Sequence, residues 1–232
     1  SPMKRLALIA LTLGLAASAA GQELKLVLGA GSSTYSAPWA PENWWDWEGR
    51  GSGLDPITNA RVAAAAGLGM ELTLRDDLDL EVDLLYFSKG ATYRQEDIDP
   101  SDPASDERVK NDFSLQGFSL PVLAKLRLMR SPRFYALAGL ELSSIVSHRL
   151  FVFEQFGISG PDYSLWRELQ LIHETRKIDT SPVLGFGCSF GSPVRTLDLE
   201  LRYQLGVLDL NREPGEYRVG IRALLLVAGF RI

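Results

Sequence analysis

Hydrophobic and polar residues alternate along most of this chain with a period of two, and the helical period of 3.6 is nearly absent. From Thr196 to Val207, the residues Leu197, Leu199, Leu201, Tyr203, Leu205 and Val207 fall on one face. Asp198, Glu200, Arg202, Gln204 and Gly206 fall on the other. A helix would scatter these residues around its circumference, whereas a strand separates them completely. Leu78 to Lys89 sets Leu78, Leu80, Val82, Leu84 and Tyr86 against Asp79, Glu81, Asp83, Leu85 and Phe87. Arg61 to Leu74 and Phe113 to Leu128 alternate in the same way. Glu23 to Ser33, Arg133 to Arg149, Lys177 to Phe190 and Tyr217 to Ile232 complete a set of eight predicted strands.

The connections differ in length by turns. Arg75-Asp76-Asp77, Met129 to Pro132 and Gly191 to Arg195 are tight and rich in turn-forming residues. Thr34 to Ala60, Gly90 to Asp112 and Leu150 to Arg176 are long, and Asn211 to Glu216 is the shortest of that side. Short turns at one end and long polar loops at the other describe an eight-stranded antiparallel up-and-down transmembrane β-barrel, with periplasmic turns and extracellular loops.

A secreted lipocalin-like barrel would alternate as well, so the assignment of faces decides between them. The polar face carries Gly29, Gly31, Gly67, Gly69, Gly117, Gly139, Gly185, Gly187, Gly206 and Gly229. Small residues belong where side chains crowd inside a narrow barrel. The apolar face is rich in Leu and carries Tyr86, Phe118, Phe186, Tyr203 and Phe230, as a lipid-facing band would. The polar face is therefore placed inside.

Composition narrows the function classes. Lys and Arg total 24 against 29 Asp and Glu, a net charge of -5, which argues against nucleic acid as a partner. One cysteine, Cys188, excludes an internal disulfide framework, and two histidines leave little for a metal site. Lys4 and Arg5, the apolar run Leu6 to Ala16 and the small residues Ala17 to Ala20 form the three parts of an export signal. Residues 1–20 are thus expected to be a signal peptide, with Ser1 and Pro2 standing before the start Met3, and 21–232 a single barrel domain. No later stretch reaches the roughly 18 apolar residues of a membrane helix.

Several segments resemble the PorT-like outer-membrane β-barrel proteins. Phe118 to Lys125 resembles the family's aromatic, acidic-Ile-Pro-Leu-Leu-Leu-Lys strand, with Ser119 in place of the acidic residue. Pro132, Tyr135, Ala136, Leu137, Ala138 and Gly139 resemble the Pro-Tyr-Leu-Leu-Ala-Gly strand that follows it. Val183 to Gly187 is similar to the family's Gly-rich sixth strand. Leu199 to Tyr203 resembles Leu-Glu-Ala-Arg-Tyr, and Gly229-Phe230-Arg231 the terminal Gly-Tyr-Arg-Phe, although the chain ends in Ile232. The resemblance runs in order from about residue 22 to the end. It implies an outer-membrane barrel and no catalytic residues.

The inward face then collects Glu71, Glu81, Lys125, Arg127, Glu141, Asp198, Glu200, Arg202 and Arg231. Interleaved acids and bases read either as an ion-filtering lumen or as a salt-bridge network that fills the barrel. The second is favoured, because eight strands enclose little more than their own side chains. Trp39, Trp44, Trp45 and Trp47 in the first long loop suggest an interfacial or loop-packing cluster, or a stacking surface for a partner. The acidic loop with Glu96, Asp97, Asp99, Asp102, Asp106 and Glu107 lacks the glycine of a calcium-binding loop. Leu165, Trp166, Leu169 and Ile172 have helical spacing, so this stretch reads as a short surface helix or a strand extension. Gly29-Ala30-Gly31 is not followed by a helix and makes no dinucleotide loop. Ser147 and His148 are adjacent on a strand and point to opposite faces, which speaks against a lipid-modifying enzyme. No cofactor and no metal is expected. The expected partners are outer-membrane lipid and lipopolysaccharide, with the barrel-assembly machinery during biogenesis and a monomeric final state.

Overall fold

The computed structural model describes residues 23–35, 57–97, 107–128, 133–156, 164–192, 195–210, 212 and 219–231. The strands are β1 (Glu23–Tyr35), β2 (Ile57–Arg75), β3 (Leu78–Asp97), β4 (Glu107–Arg127), β5 (Arg133–Phe156), β6 (Ser164–Gln170), β7 (Ile178–Ser192), β8 (Arg195–Leu205) and β9 (Ile221–Arg231). Eight of them close into one antiparallel barrel: each pairs with the next, β5 pairs with β7, and β9 returns to β1. No helix occurs among the described residues. Residues 1–20, expected as a signal peptide, and Trp39, Trp44, Trp45, Trp47, Asp99, Asp102 and Asp106 lie outside them, as do the side chains of Glu96, Asp97 and Glu107.

The ninth strand is β6. It pairs with the upper end of β5, where β7 no longer reaches, matching Arg149 with Gln170 and Glu154 with Ser164. The stretch with helical spacing is therefore a strand extension, with a register shift between Val152 and Phe153.

Strands β2 to β5 also outrun the alternating pattern. β3 continues past Lys89 to Asp97, β4 starts at Glu107 instead of Phe113, and β5 runs to Phe156 instead of Arg149. Outer positions on these extensions include Lys110 and Asp112, which form an ion pair. Above the lipid an outward side chain need not be apolar, so the alternation fades while the ladder of hydrogen bonds continues. At the other end of the chain, β8 stops at Leu205 and β9 starts at Ile221, shorter than the pattern suggests.

Pro121 lies inside β4 without a shift of register on either side. The β3–β4 ladder skips from Val82–Val122 to Leu85–Ser119 without a change of register. On the other side Pro121 stays paired with Glu141. The missing N–H thus points at β3 alone. At the end of β7, Gly191 takes φ 107°, a conformation that glycine adopts without steric cost before the tight turn into β8.

Burial settles which face is outside. Leu184, Phe186 and Leu226 are about 60% exposed, while Glu81 and Asp198 are fully buried. A barrel in water would reverse that order. With apolar side chains outside and charges inside, the wall suits lipid. Above the charges the lumen turns apolar. Tyr35, Tyr93, Phe113, Leu150, Leu171 and Leu210 belong to one buried cluster there.

Candidate functional site: a charged lumen beneath an apolar cap

Strand parity delivers the charges. Lys25, Glu71, Glu81, Asp83, Lys125, Asp198, Glu200, Arg202 and Arg231 share the inner face of six strands. Lys25 Nζ reaches Glu81 at 2.6 Å and Asp198 at 3.4 Å. Lys125 contacts Glu81, and meets Glu200 at 2.7 Å and Glu71 at 3.2 Å. Arg202 binds Asp83 through Nη1 at 2.8 Å, and Nη2 lies 2.5 Å from both Glu81 and Glu200. Arg231 ties Glu71 at 2.6 Å on the periplasmic side. Tyr135 donates its hydroxyl to Glu200 at 2.8 Å, and the Lys125 ammonium lies 4.7 Å from its ring centre.

Two glycines open the space this packing needs. A Cβ on Gly229 would lie 2.4 Å from Lys25 Cε, and one on Gly187 would lie 2.7 Å from the Tyr135 ring. Burying charge costs several kcal/mol per ion unless each is met by partners. Here partners come from strands far apart in sequence, so the network ties the barrel wall across its lumen.

All nine charged residues expected in the lumen do point inward, but they form three groups. Glu71, Glu81, Lys125, Asp198, Glu200, Arg202 and Arg231 join the central network. Arg127 stands apart at the periplasmic mouth and pairs with Asp79 at 2.7 Å. Glu141 sits with a separate set, accepting hydrogen bonds from Lys89 at 2.9 Å, Gln204 at 2.6 Å and Ser143 at 3.1 Å. Lys25, Asp79, Asp83, Lys89 and Tyr135 belong to the lumen and are absent from the expected set. Lys25, Asp79 and Asp83 share parity with residues already assigned to the inner face, and that signal was sufficient to find them. Lys89 closes its alternating run and reads as a strand end.

The cap is fastened by a chain of hydrogen bonds. Thr175 donates its hydroxyl to the Leu171 carbonyl at 2.7 Å, so its oxygen accepts from His148 Nδ1–H at 2.7 Å. Nε2 is then the acceptor for the Tyr35 hydroxyl at 2.9 Å. His148 is fully buried; Ser147, its neighbour, is not part of this chain. The turn from Leu171 to Arg176 is also joined to the β8–β9 connection, through Arg176 N–H to Leu210 O at 2.7 Å and Arg212 N–H to Glu174 O at 2.8 Å.

His148 stands above the lipid-facing residues of β5, which end at Val146. Burial lowers its pKa from 6.5 to about 4. The unfolded chain therefore binds the extra proton first as pH falls. Stability contributed by neutral His148 is complete above about pH 6.5 and is lost toward pH 4, on the order of 3 kcal/mol. Urea unfolding in lipid vesicles at pH 7 and pH 4.5 is expected to show this loss, and His148→Gln is expected to flatten it.

Residues 24–212 match the family described as outer membrane protein beta-barrel domain. The chain belongs to this family. It is an outer-membrane β-barrel protein, as the inverted wall implies. Neisserial surface protein A is 15% identical, with 90% of this chain and 96% of that chain covered and a TM-score of 0.40. Ail, the attachment invasion locus protein of Yersinia pestis, is 14% identical over 91% and 99% of the two chains, with a TM-score of 0.35. The N-terminal β-barrel domain of Pseudomonas aeruginosa OprF is 14% identical over 91% and 99%, with a TM-score of 0.36. No curated protein matches in sequence.

Proposed function

We propose that this protein is a closed, non-enzymatic outer-membrane barrel whose work is done at its extracellular surface. The observation that carries this reading is the filled lumen: ion pairs bridge it below and a buried aromatic and aliphatic cluster covers them above. A water-filled pore would leave those inward side chains exposed, and Glu81, Lys125, Glu200 and Arg202 are no more than 2% exposed. Specificity in such a fold rests with its loops. The tryptophan segment at Trp39, Trp44, Trp45 and Trp47 and the acidic loop are the surfaces assigned to it. Lipopolysaccharide is the expected lipid neighbour, the barrel-assembly machinery the expected partner in biogenesis, and a monomer the expected state. The PorT-like resemblance agrees with this placement and adds no catalytic group.

Planar-bilayer recording on the refolded chain tests the reading. Barrels confirmed as folded on the same sample are expected to give no ohmic steps. Reproducible steps would instead support a narrow porin-like channel, with Glu81, Lys125, Glu200 and Arg202 as its selectivity residues.

A further inference from the structure

The central network of the lumen is unevenly charged. Glu71, Glu81, Asp83, Asp198 and Glu200 are five carboxyls, and Lys25, Lys125, Arg202 and Arg231 are the four cations that meet them. Elsewhere in the lumen Arg127 pairs with Asp79, and Lys89 faces both Glu141 and the buried Asp179, so among the described residues neither is a spare cation. A wall of apolar side chains surrounds the group, so an unbalanced charge would be weakly screened.

The imbalance shows most at Asp83, which meets one cation, whereas Asp198, whose Oδ1 is also buried without a hydrogen-bond partner, faces Lys25, Lys125 and Arg231. Glu81 and Asp83 are two residues apart on the inner face of β3, and a single guanidinium, that of Arg202, meets both. Glu81 also contacts Lys25 and Lys125. Among the described residues no lysine lies within ion-pair distance of Asp83, and Lys25 acts on it from farther off. Its Oδ1 is buried and meets no hydrogen-bond partner, and the residue is 0% exposed. That oxygen points at the bare Cα of Gly69, where a Cβ would lie 2.1 Å away. Glu81 on the same strand, Lys25 on β1 and Arg202 on β8 act on Asp83 directly, and the rest of the network consists of Glu71 on β2, Lys125 on β4, Tyr135 on β5, Asp198 and Glu200 on β8, and Arg231 on β9. β7 contributes Gly185 and Gly187 at this level and no charge.

We propose that Asp83 is a proton-binding site, a neutral carboxylic acid that leaves four carboxylates facing four cations in the central network. The ligand is a single hydron. Its loss in alkaline solution would set a second carboxylate charge beside Glu81 on the same arginine, and the lumen would loosen. The charge that closes this barrel is then a bound proton as well as the ion pairs.

The test is infrared spectroscopy together with urea unfolding on the full refolded chain, comparing the parent with Asp83→Asn and Glu81→Gln. The parent is expected to show the carbonyl stretch of a protonated carboxylic acid at neutral pH, and Asp83→Asn to lose it. Asparagine mimics the neutral acid, so its unfolding midpoint is expected to match the parent at neutral pH and to exceed it in alkali. Glu81→Gln, which removes a carboxylate held by three cations, is expected to unfold at lower urea or to fail to fold. A spectrum unchanged by Asp83→Asn, or a midpoint lowered by it as far as by Glu81→Gln, would overturn the proposal.

Discussion

Replacing Arg202 by alanine is expected to destabilise the barrel by about 3–5 kcal/mol, the range for breaking a buried ion pair from one side. The guanidinium is 1% exposed and holds Glu81, Asp83 and Glu200 together. Its loss leaves Glu81 and Glu200 with lysines as their cations and removes the one cation paired with Asp83 among the described residues. Arg149 gives the control. Its pair with Glu168 is 3.3 Å long, with both side chains at least 40% exposed. Such a pair contributes roughly 0–1 kcal/mol, so Arg149→Ala is expected to change little. Urea titration in lipid vesicles measures both. Equal effects would mean that the lumen network adds no more than a surface contact.

Leu184→Arg carries the second large expectation, about 2–4 kcal/mol of destabilisation, because an arginine on the lipid face near the bilayer midplane is costly. Leu184 is 61% exposed and lies midway along the outward residues of β7, between Ile178 and Phe190. On a barrel surrounded by water the same change would stay within about 0.5 kcal/mol, as surface substitutions do. The substitution therefore separates lipid from water as the outer medium.

The barrel strands were legible in the sequence because a wall between lipid and lumen must alternate at every step. Leu197 through Leu205 shows this in full, with each charged residue in phase with Glu200 buried and each apolar one turned outward. Legibility stopped where that constraint stopped. Beyond Lys89 and Arg149 the strands continue with Tyr93, Leu150 and Val152 packed inside but Lys110 and Asp112 on the outer face, so the outward half of the alternation is lost. β6 gives the clearest case: Leu165 and Leu169 have helical spacing, yet the unpaired upper edge of β5 draws the segment into a ladder. In the lumen, parity assigned the inward charges but not their grouping. Arg127, Glu141 and Glu200 have the same sequence signature and end in three separate sets, because strand stagger and side-chain reach decide who meets whom. His148 was weighed in the sequence only beside Ser147, and its place in the cap needed the fold, since Tyr35 and Thr175 lie 113 and 27 residues from it.

The apolar face of this barrel meets lipid, and the charged face meets itself. The chain has one cysteine, Cys188, on the outer face of β7 between Phe186 and Phe190. A nitroxide attached to it reports the outer medium without any substitution. In refolded vesicles its collisions with dissolved oxygen are expected to exceed those with an aqueous nickel chelate, as in a hydrocarbon environment. Collisions dominated by the nickel chelate would contradict the assignment of faces, and with it the reading of the lumen as a closed, ion-paired core.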